Sequence, residues 1–363
     1  DWLQKPKRIF ALTALTILWI IGVHHTGPKL IESARQHLYA SPIQHHEQSR
    51  FQDIVFTGQG HRLSLYLNGH LQFDSEDEYI YHEMLVHPAA SALADDAQDA
   101  LVLGGGDGLA VREILKWPKF KSVTLVDLDA RIIDLAKTYP PLRHLNEGAL
   151  LDPRIKAEVR AQEDGGKRDI WQSAENVPDA LNGTRLKVAR VKTAALDADG
   201  FLRNTRRQWD LIVADFPDPS TPDIATLFSL EFFLLVKRSL KPNGVFVVQS
   251  SSPYANRGSY WTVHDTLIKT GFQVTPIHAH VPTFGEWGWH IASLSPVEFK
   301  AVPQGLKYLT QGVLKAAKVF PPNLARPPGA PRISTRLDPV IMRDYLRGEP
   351  IEGMEYFPGA AYR

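Results

Sequence analysis

Leu101-Val102-Leu103-Gly104-Gly105-Gly106-Asp107-Gly108 is followed, about twenty residues on, by Leu125-Val126-Asp127-Leu128-Asp129. An apolar run enters a glycine-rich turn, Leu109 to Lys116 reads as the first turns of a helix, and a second apolar run ends in a carboxylate. That is the opening β-α-β of a doubly wound nucleotide-binding sheet. Gly104, Gly105 and Gly106 let the backbone approach a ligand closely, and Asp127 is placed for a ribose diol. The turn is GGGDG rather than GxGxxG, with Asp107 inside it. A carboxylate there repels a pyrophosphate and suits a cationic, phosphate-free ligand. S-adenosyl sulfonium compounds fit that description, so the pattern points to a transferase rather than a dehydrogenase.

Bulk properties narrow the field. At 363 residues the chain holds one large α/β domain with additions, or two modest domains. A formal net charge of +1 and the lack of a basic stripe with interleaved aromatics give no case for nucleic acid. The absence of cysteine excludes disulfides, thiolate catalysis and Cys-ligated zinc, but assigns no compartment.

Ile9 to Val23 is apolar apart from Thr13 and Thr16, with Lys5, Lys7 and Arg8 before it and His24 and His25 after. The run is shorter than the roughly 20 residues of a spanning helix. Snorkelling by Arg8 and an interfacial Trp19 make a short or tilted span the expected reading, ahead of a signal peptide or a core helix. The chain opens on Asp1 rather than Met, which suggests a longer or processed product.

The expected organisation is a transmembrane segment at 1–25 and a juxtamembrane connector at 26–45. A small antiparallel β unit at 46–80 follows, turning at Asn68-Gly69. A helix is expected from Glu78 to Ala94. The Rossmann-like, methyltransferase-type domain spans 81–295, with strands expected at 100–103, 122–126, 186–191, 210–214, 244–249 and around 289–293. Residues 155–185 read as an insertion or lid, and the proline-rich 296–363 as an extension wrapping the surface. No internal repeat is present.

Trp209 to Ala214 reads as a buried strand ending in Asp215-Phe216-Pro217-Asp218-Pro219-Ser220-Thr221-Pro222. Loops leaving the carboxyl ends of such strands line the ligand crevice. Two carboxylates three residues apart, stiffened by prolines, form an acidic rim that attracts a dication such as a diamine. A carboxylate touching an attacking ammonium can take its proton. Asp-Pro pairs also make simple turns. Asp197-Ala198-Asp199-Gly200 offers an acceptor for an adenine amino group, or a helix cap.

At this point a family resemblance becomes specific. Leu67-Asn68-Gly69 with Gln72-Phe73, then Asp77-Glu78-Tyr79-Ile80-Tyr81-His82-Glu83 and His87-Pro88, resemble the N-terminal signature of spermidine synthases. GGGDG with Arg112-Glu113, Asp152-Pro153-Arg154, Asp215-x-x-Asp218-Pro219 and the segment Val281 to Trp289 resemble the rest, over about residues 46–293. The Leu-Tyr-Leu-Asn-Gly and Phe-Gly-Glu-Trp-Gly forms, with the apolar N-terminus, look most like the membrane-bound branch. There, a multi-helix membrane region commonly precedes the synthase-like domain.

The resemblance implies an aminopropyltransferase that moves the aminopropyl group of decarboxylated S-adenosylmethionine to an amine such as putrescine, giving spermidine and methylthioadenosine. No prosthetic group and no metal are implied. Gln52 and Asp127 would hold the ribose, Asp107 the aminopropyl ammonium, and Gly104, Gly105 and Gly106 the sulfonium pocket. Asp199 and Gly200 would meet the adenine. Tyr79, His82 and Asp218 would bind the amine, Pro222 would shape its loop, and Asp215 would accept the proton. Trp287 walls the amine's methylene chain or is an ordinary core aromatic. A homodimer or homotetramer is implied, integral to the cell membrane. The donor is expected in the cytoplasm, whereas the cationic flank taken alone points the domain outward.

Several residues depart from the family pattern. Phe216-Pro217 stands where a hydroxyl pair is usual, adding bulk beside the acceptor, and Gln249-Ser250-Ser251-Ser252 lacks an acid often found near there. The pairs His24-His25 and His45-His46 do not argue for a metal, because adjacent residues rarely ligate one ion. Two other readings compete. One is an S-adenosylmethionine-dependent methyltransferase, against which Asp107 argues by repelling that donor's carboxylate. The other is a non-enzymatic polyamine or nucleoside sensor at a membrane, which Phe216-Pro217 would favour.

Overall fold

The computed structural model describes residues 6–157, 193–195 and 197–348. The strand expected at 186–191 and most of the 155–185 segment lie outside them. Helix α1 (Pro6–Gln36) contains, at Phe10–Gln36, one stretch long and apolar enough to cross a membrane, with Phe10, Leu18 and Trp19 exposed. It runs through the first part of the expected connector. Its end is tied to the next element: Ile43 donates its N–H to Gln36 Oε1 at 2.9 Å. Arg35 meets His46 Nδ1 at 3.0 Å, and His46 Nε2 meets Asp53 at 2.6 Å.

Four antiparallel strands follow in meander order: β1 (Ile43–Gln48), β2 (Asp53–Thr57), β3 (Ser64–Leu67) and β4 (His70–Asp74). Asn68 and Gly69 both take positive φ, 51° and 77°, as the tight β3–β4 turn requires. Helix α2 (Glu78–Ser91) is buried at every residue except Tyr79.

The main sheet is built from β5 (Asp99–Gly104), β6 (Ser122–Asp127), β7 (Ile155–Ala157), β8 (Thr193–Ala195), β9 (Trp209–Asp215), β10 (Leu240–Gln249), β11 (Gln273–Val281) and β12 (Gly285–Ser293). Its order is β11-β12-β10-β9-β5-β6-β7, with β8 pairing further along β6. The strands from β10 to β7 and β8 run parallel, whereas β12 is antiparallel to both β10 and β11. The single strand expected near 289–293 is thus one arm of a β11–β12 hairpin. Pro276 in β11 hid the other arm, because proline argues against a strand reading.

The connecting helices are α3 (Leu109–Leu115), α4 (Ala130–Thr138), α5 (Pro140–Leu145), α6 (Ala198–Asn204), α7 (Pro222–Thr226), α8 (Leu230–Ser239) and α9 (Arg257–Lys269). Central strands are covered on both faces, so they read as unbroken apolar runs. Val102, Leu211, Val213, Val245 and Val247 join a core with α2 and α3. Their neighbours Leu101, Leu103, Ile212, Ala214, Phe246 and Val248 join a second core under α6, α8 and α9. The period-two alternation of strand side chains divides one sheet between two cores.

Beyond the sheet, α10 (Gln311–Ala316) and α11 (Val340–Arg347) complete the described chain. This extension does more than wrap the surface. The Glu83 carboxylate accepts the backbone N–H groups of Lys307, Tyr308 and Leu309 at 2.8, 2.9 and 2.8 Å, and Ile341 is fully buried.

Candidate active site

The carboxyl ends of β5, β6 and β9 converge on one crevice. At the β5 tip the chain turns with φ of +79° at Gly104 and +63° at Gly105, where side chains are strained. Space is equally limiting: a Cβ on Gly104 would lie 2.1 Å from the Asp215 carbonyl oxygen, and one on Gly106 2.5 Å from Ile132. Gly106 donates its N–H to Asp127 Oδ2 at 2.9 Å, and Asp129 donates to Asp127 Oδ1 at 2.8 Å. Asp129 in turn accepts from Ser49 Oγ at 2.6 Å, and Ser49 Oγ accepts the N–H of Gln52 at 3.0 Å. The β1–β2 turn is therefore fastened to the β6 tip, which brings Gln52 to the Asp127 side.

Asp107 is half-buried, and its Oδ1 accepts the N–H of Leu109 at 2.8 Å, closing the first turn of α3. Burial raises its pKa to about 6, against the pull of His82. Burial likewise raises Asp127 to about 6, although two backbone N–H groups favour its charged form.

Across the crevice Asp215 ends β9. Tyr81, from α2, donates its phenol O–H to Asp215 Oδ1 at 2.6 Å. The other oxygen, Oδ2, lies beside the glycine turn, 3.0 Å from where a Cβ on Gly105 would be. Burial raises the Asp215 pKa, opposed by His82 and by the Tyr81 bond. Asp218, three residues on, is raised to about 6 by burial, against the pull of Tyr345, Gln249 and Ser251 nearby; Gln249 Nε2 of β10 lies 3.4 Å from its Oδ1.

His82 is buried beside this acidic cluster. Its Nδ1–H is shared between the Glu78 carbonyl at 2.8 Å and Glu78 Oε2 at 2.9 Å. Burial disfavours the imidazolium, but Glu78, Asp215 and Asp107 outweigh it and lift the pKa to about 9. Glu78 is itself clamped by Arg112, whose two terminal nitrogens reach its oxygens at 2.8 and 2.9 Å. Arg112 Nε continues to Glu113 at 2.7 Å, and Glu113 meets His87 Nε2 at 2.8 Å. Trp117 Nε1 donates to His87 Nδ1 at 2.9 Å, which fixes the Nε2–H tautomer.

Three expectations change at this level. Tyr79 turns away from the carboxylates and lies under Lys307, 5.3 Å from its ammonium, so Tyr81 is the tyrosine of the acidic cluster. Asp199 is held in ion pairs by Arg203 and Arg336, on the flank of α6. Asp197 takes the place just after β8 instead, accepting the N–H groups of Asp199 and Gly200 at 3.2 and 3.1 Å. Phe216 does not crowd the acceptor side: it is buried against Phe228 and Phe232, while Gln249 Nε2 holds its carbonyl at 2.6 Å. Pro222 begins α7, behind the Thr221 cap. Trp287 packs beside Phe284 and Tyr81 at the edge of the site. Tyr81 and Gln249 were not expected as site residues from the sequence, Gln249 standing there only where an acid was missing. Only Tyr81 carried a local signal, one residue before His82.

Residues 78–167 and 172–302 match the spermine/spermidine synthase domain. The chain belongs to the spermine/spermidine synthase family. Among its relatives, polyamine aminopropyltransferase 1 of Streptomyces coelicolor is 39% identical over 351 residues, covering 94% of this chain and 58% of that protein. Polyamine aminopropyltransferase of Mycobacterium tuberculosis is 39% identical over 320 residues, covering 87% of this chain and 54% of that one. The chain thus spans little more than half the length of these curated relatives. Two solved structures share the fold. Spermidine synthase from Thermotoga maritima has a TM-score of 0.60 at 21% identity, over 77% of this chain and 84% of that one. A spermidine synthase in complex with the transition state analogue AdoDATO has a TM-score of 0.62 at 22% identity, over 77% and 85%. The matched family region contains the glycine turn, Asp127, Tyr81, His82, Asp215 and Asp218; α1 and α11 lie outside it.

Proposed function

We propose that this chain is the aminopropyl-transferring part of a polyamine aminopropyltransferase, with decarboxylated S-adenosylmethionine as donor and a diamine of the putrescine class as acceptor. One observation carries the reading: Asp215 accepts the Tyr81 phenol on one oxygen, while the other, which accepts no hydrogen bond among the described residues, lies beside the glycine turn. The donor's ribose would lie against Asp127 and Gln52, its adenine against Asp197 and its ammonium against Asp107. The amine would lie between Asp215 and Asp218, along Tyr81 and Trp287.

The chemistry follows from charge. The incoming ammonium gives a proton to Asp215 Oδ2, and burial makes that carboxylate a better base than an exposed one. The freed lone pair attacks the methylene carbon bound to sulfur. The C–S pair collapses onto S⁺ and neutral methylthioadenosine leaves. A sulfonium is already an activated leaving group, so the protein's part is orientation and proton removal. Anchoring by α1 at a membrane is part of the proposal, supported by its exposed apolar surface.

Calorimetric titration of the full chain tests the donor assignment. Decarboxylated S-adenosylmethionine is expected to bind at least about tenfold tighter than the intact compound, since Asp107 attracts one tail and repels the other's carboxylate. Asp107→Ala should remove the preference. Tighter binding of intact S-adenosylmethionine would move the assignment to methyl transfer. Gly104→Ala separately tests the crevice geometry. A Cβ there collides with the Asp215 carbonyl, so methylthioadenosine affinity should fall about 100-fold, as a misplacement of order 1 Å costs. Parental affinity would show that the β5 and β9 tips do not form the nucleoside site.

A further inference from the structure

The chain continues past the family domain, which ends at residue 302, and its later part is fastened to the helices over the second core. Ser334 is fully buried. It donates its N–H to Thr266 Oγ1 of α9 at 3.0 Å, and its carbonyl accepts the N–H of Leu230, the first residue of α8, at 2.8 Å. Two residues on, Arg336 donates its backbone N–H to Glu231 Oε2 of α8 at 3.1 Å. From that anchored backbone its side chain crosses to α6, where a terminal nitrogen donates to Asp199 Oδ1. The two side chains are 25% and 17% exposed, so salt and water screen the pair only in part. Arg203 Nε also reaches Asp199, at 2.6 Å, but Arg203 belongs to α6 and moves with it. The far end of α6 is held separately, by Arg238 at the Leu202 carbonyl. Arg336 therefore ties the first turn of α6 to α8 and α9.

That turn stands on the donor side of the crevice. Strand β8 pairs with β6 so that Ala195 lies opposite Asp127, which puts Asp197 two residues past the strand partner of the ribose carboxylate. The Asp197 carboxylate accepts the N–H groups of Asp199 and Gly200, so the position of the Asp199 backbone decides where Asp197 is held. We propose that Arg336 is a positioning residue of the adenine site. By holding Asp199 it fixes the turn that aims Asp197 at the adenine amino group, and the chain beyond the family domain thereby becomes part of the donor site. The inference rests on the aminopropyl-transfer reading above, with the adenine against Asp197. Three carboxylates, Asp127, Asp197 and Asp199, share this corner, and the Arg336 guanidinium offsets the charge of the one that has no ligand to meet.

Arg336→Met in the full chain tests this, by calorimetric titration with methylthioadenosine and with its analogue carrying oxygen in place of the 6-amino group. The parental protein should prefer the amino compound by at least about tenfold, as expected of a hydrogen bond to a charged group. The Met variant should lose most of that preference. Its methylthioadenosine affinity should fall about tenfold, while affinity for the oxo analogue and KM for putrescine stay within about twofold of the parent. Arg336→Lys, which keeps the charge, should recover part of the preference. Asp199→Asn should match Arg336→Met, and the double variant should be no worse than either within about twofold, because both act through one contact. A Met variant with the parental preference would overturn the proposal, as would a parental protein blind to the 6-amino group. Equal losses for both nucleosides, additive in the double variant, would mark a scaffold role and overturn it too. A parental protein that binds neither nucleoside would instead overturn the functional reading itself.

Discussion

Asp215→Asn is expected to lower turnover about 10³-fold while leaving methylthioadenosine affinity within about twofold of the parent. The substitution keeps shape and keeps an oxygen for the Tyr81 phenol, so the contact at Oδ1 survives. What it removes is the basic oxygen beside Gly105, to which the proposal assigns the proton of the attacking ammonium. The amine then stays protonated, without a lone pair to attack. Steady-state kinetics with saturating donor and putrescine, paired with calorimetry, separates chemistry from binding. An undiminished rate would remove Asp215 from the mechanism.

Arg112→Met is expected to destabilise the fold by about 3–5 kcal/mol, because it leaves Glu78 and Glu113 buried without their guanidinium. For a domain of this size that is a fall in apparent melting temperature of about 10 °C. Arg112 joins two carboxylates that each hold a histidine, His82 on one side and His87 on the other. The loss therefore spreads to the group beside Asp215. Thermal unfolding followed by circular dichroism reads the effect. A shift under about 2 °C would mean the pair contributes no more than a surface ion pair does.

Much of this site was legible because its parts are contiguous. The run from Leu101 to Asp127 encodes strand, turn, helix and strand in one stretch, and Trp209 to Asp218 encodes a strand with its loop. Each pattern carries its own periodicity and turn chemistry, so the sheet's centre and its glycine crevice could be expected from local rules. The tyrosines were harder. Tyr79 and Tyr81 point to different sides of α2, and that helix is buried almost all round, so no polar face told which one met the carboxylates. Asp197 and Asp199 posed a register problem. The strand expected at 186–191 lies outside the described residues; β8 occupies 193–195, and Asp197, two residues beyond it, caps α6. Phe216 looked like an obstacle beside the acceptor because strand alternation was not carried into the loop; it belongs to the core below. Tyr345 lies far along the chain from the Asp218 loop, and only tertiary folding packs α11 against α9, where the Tyr345 carbonyl accepts from Asn256 Nδ2.

The measurement that bears most directly on the central claim is product analysis of the full chain incubated with decarboxylated S-adenosylmethionine and putrescine. Mass spectrometry should find spermidine and methylthioadenosine rising in equal amounts, and neither product with Asp215→Asn. Absence of methylthioadenosine, or a methylated amine formed from intact S-adenosylmethionine, would contradict the account.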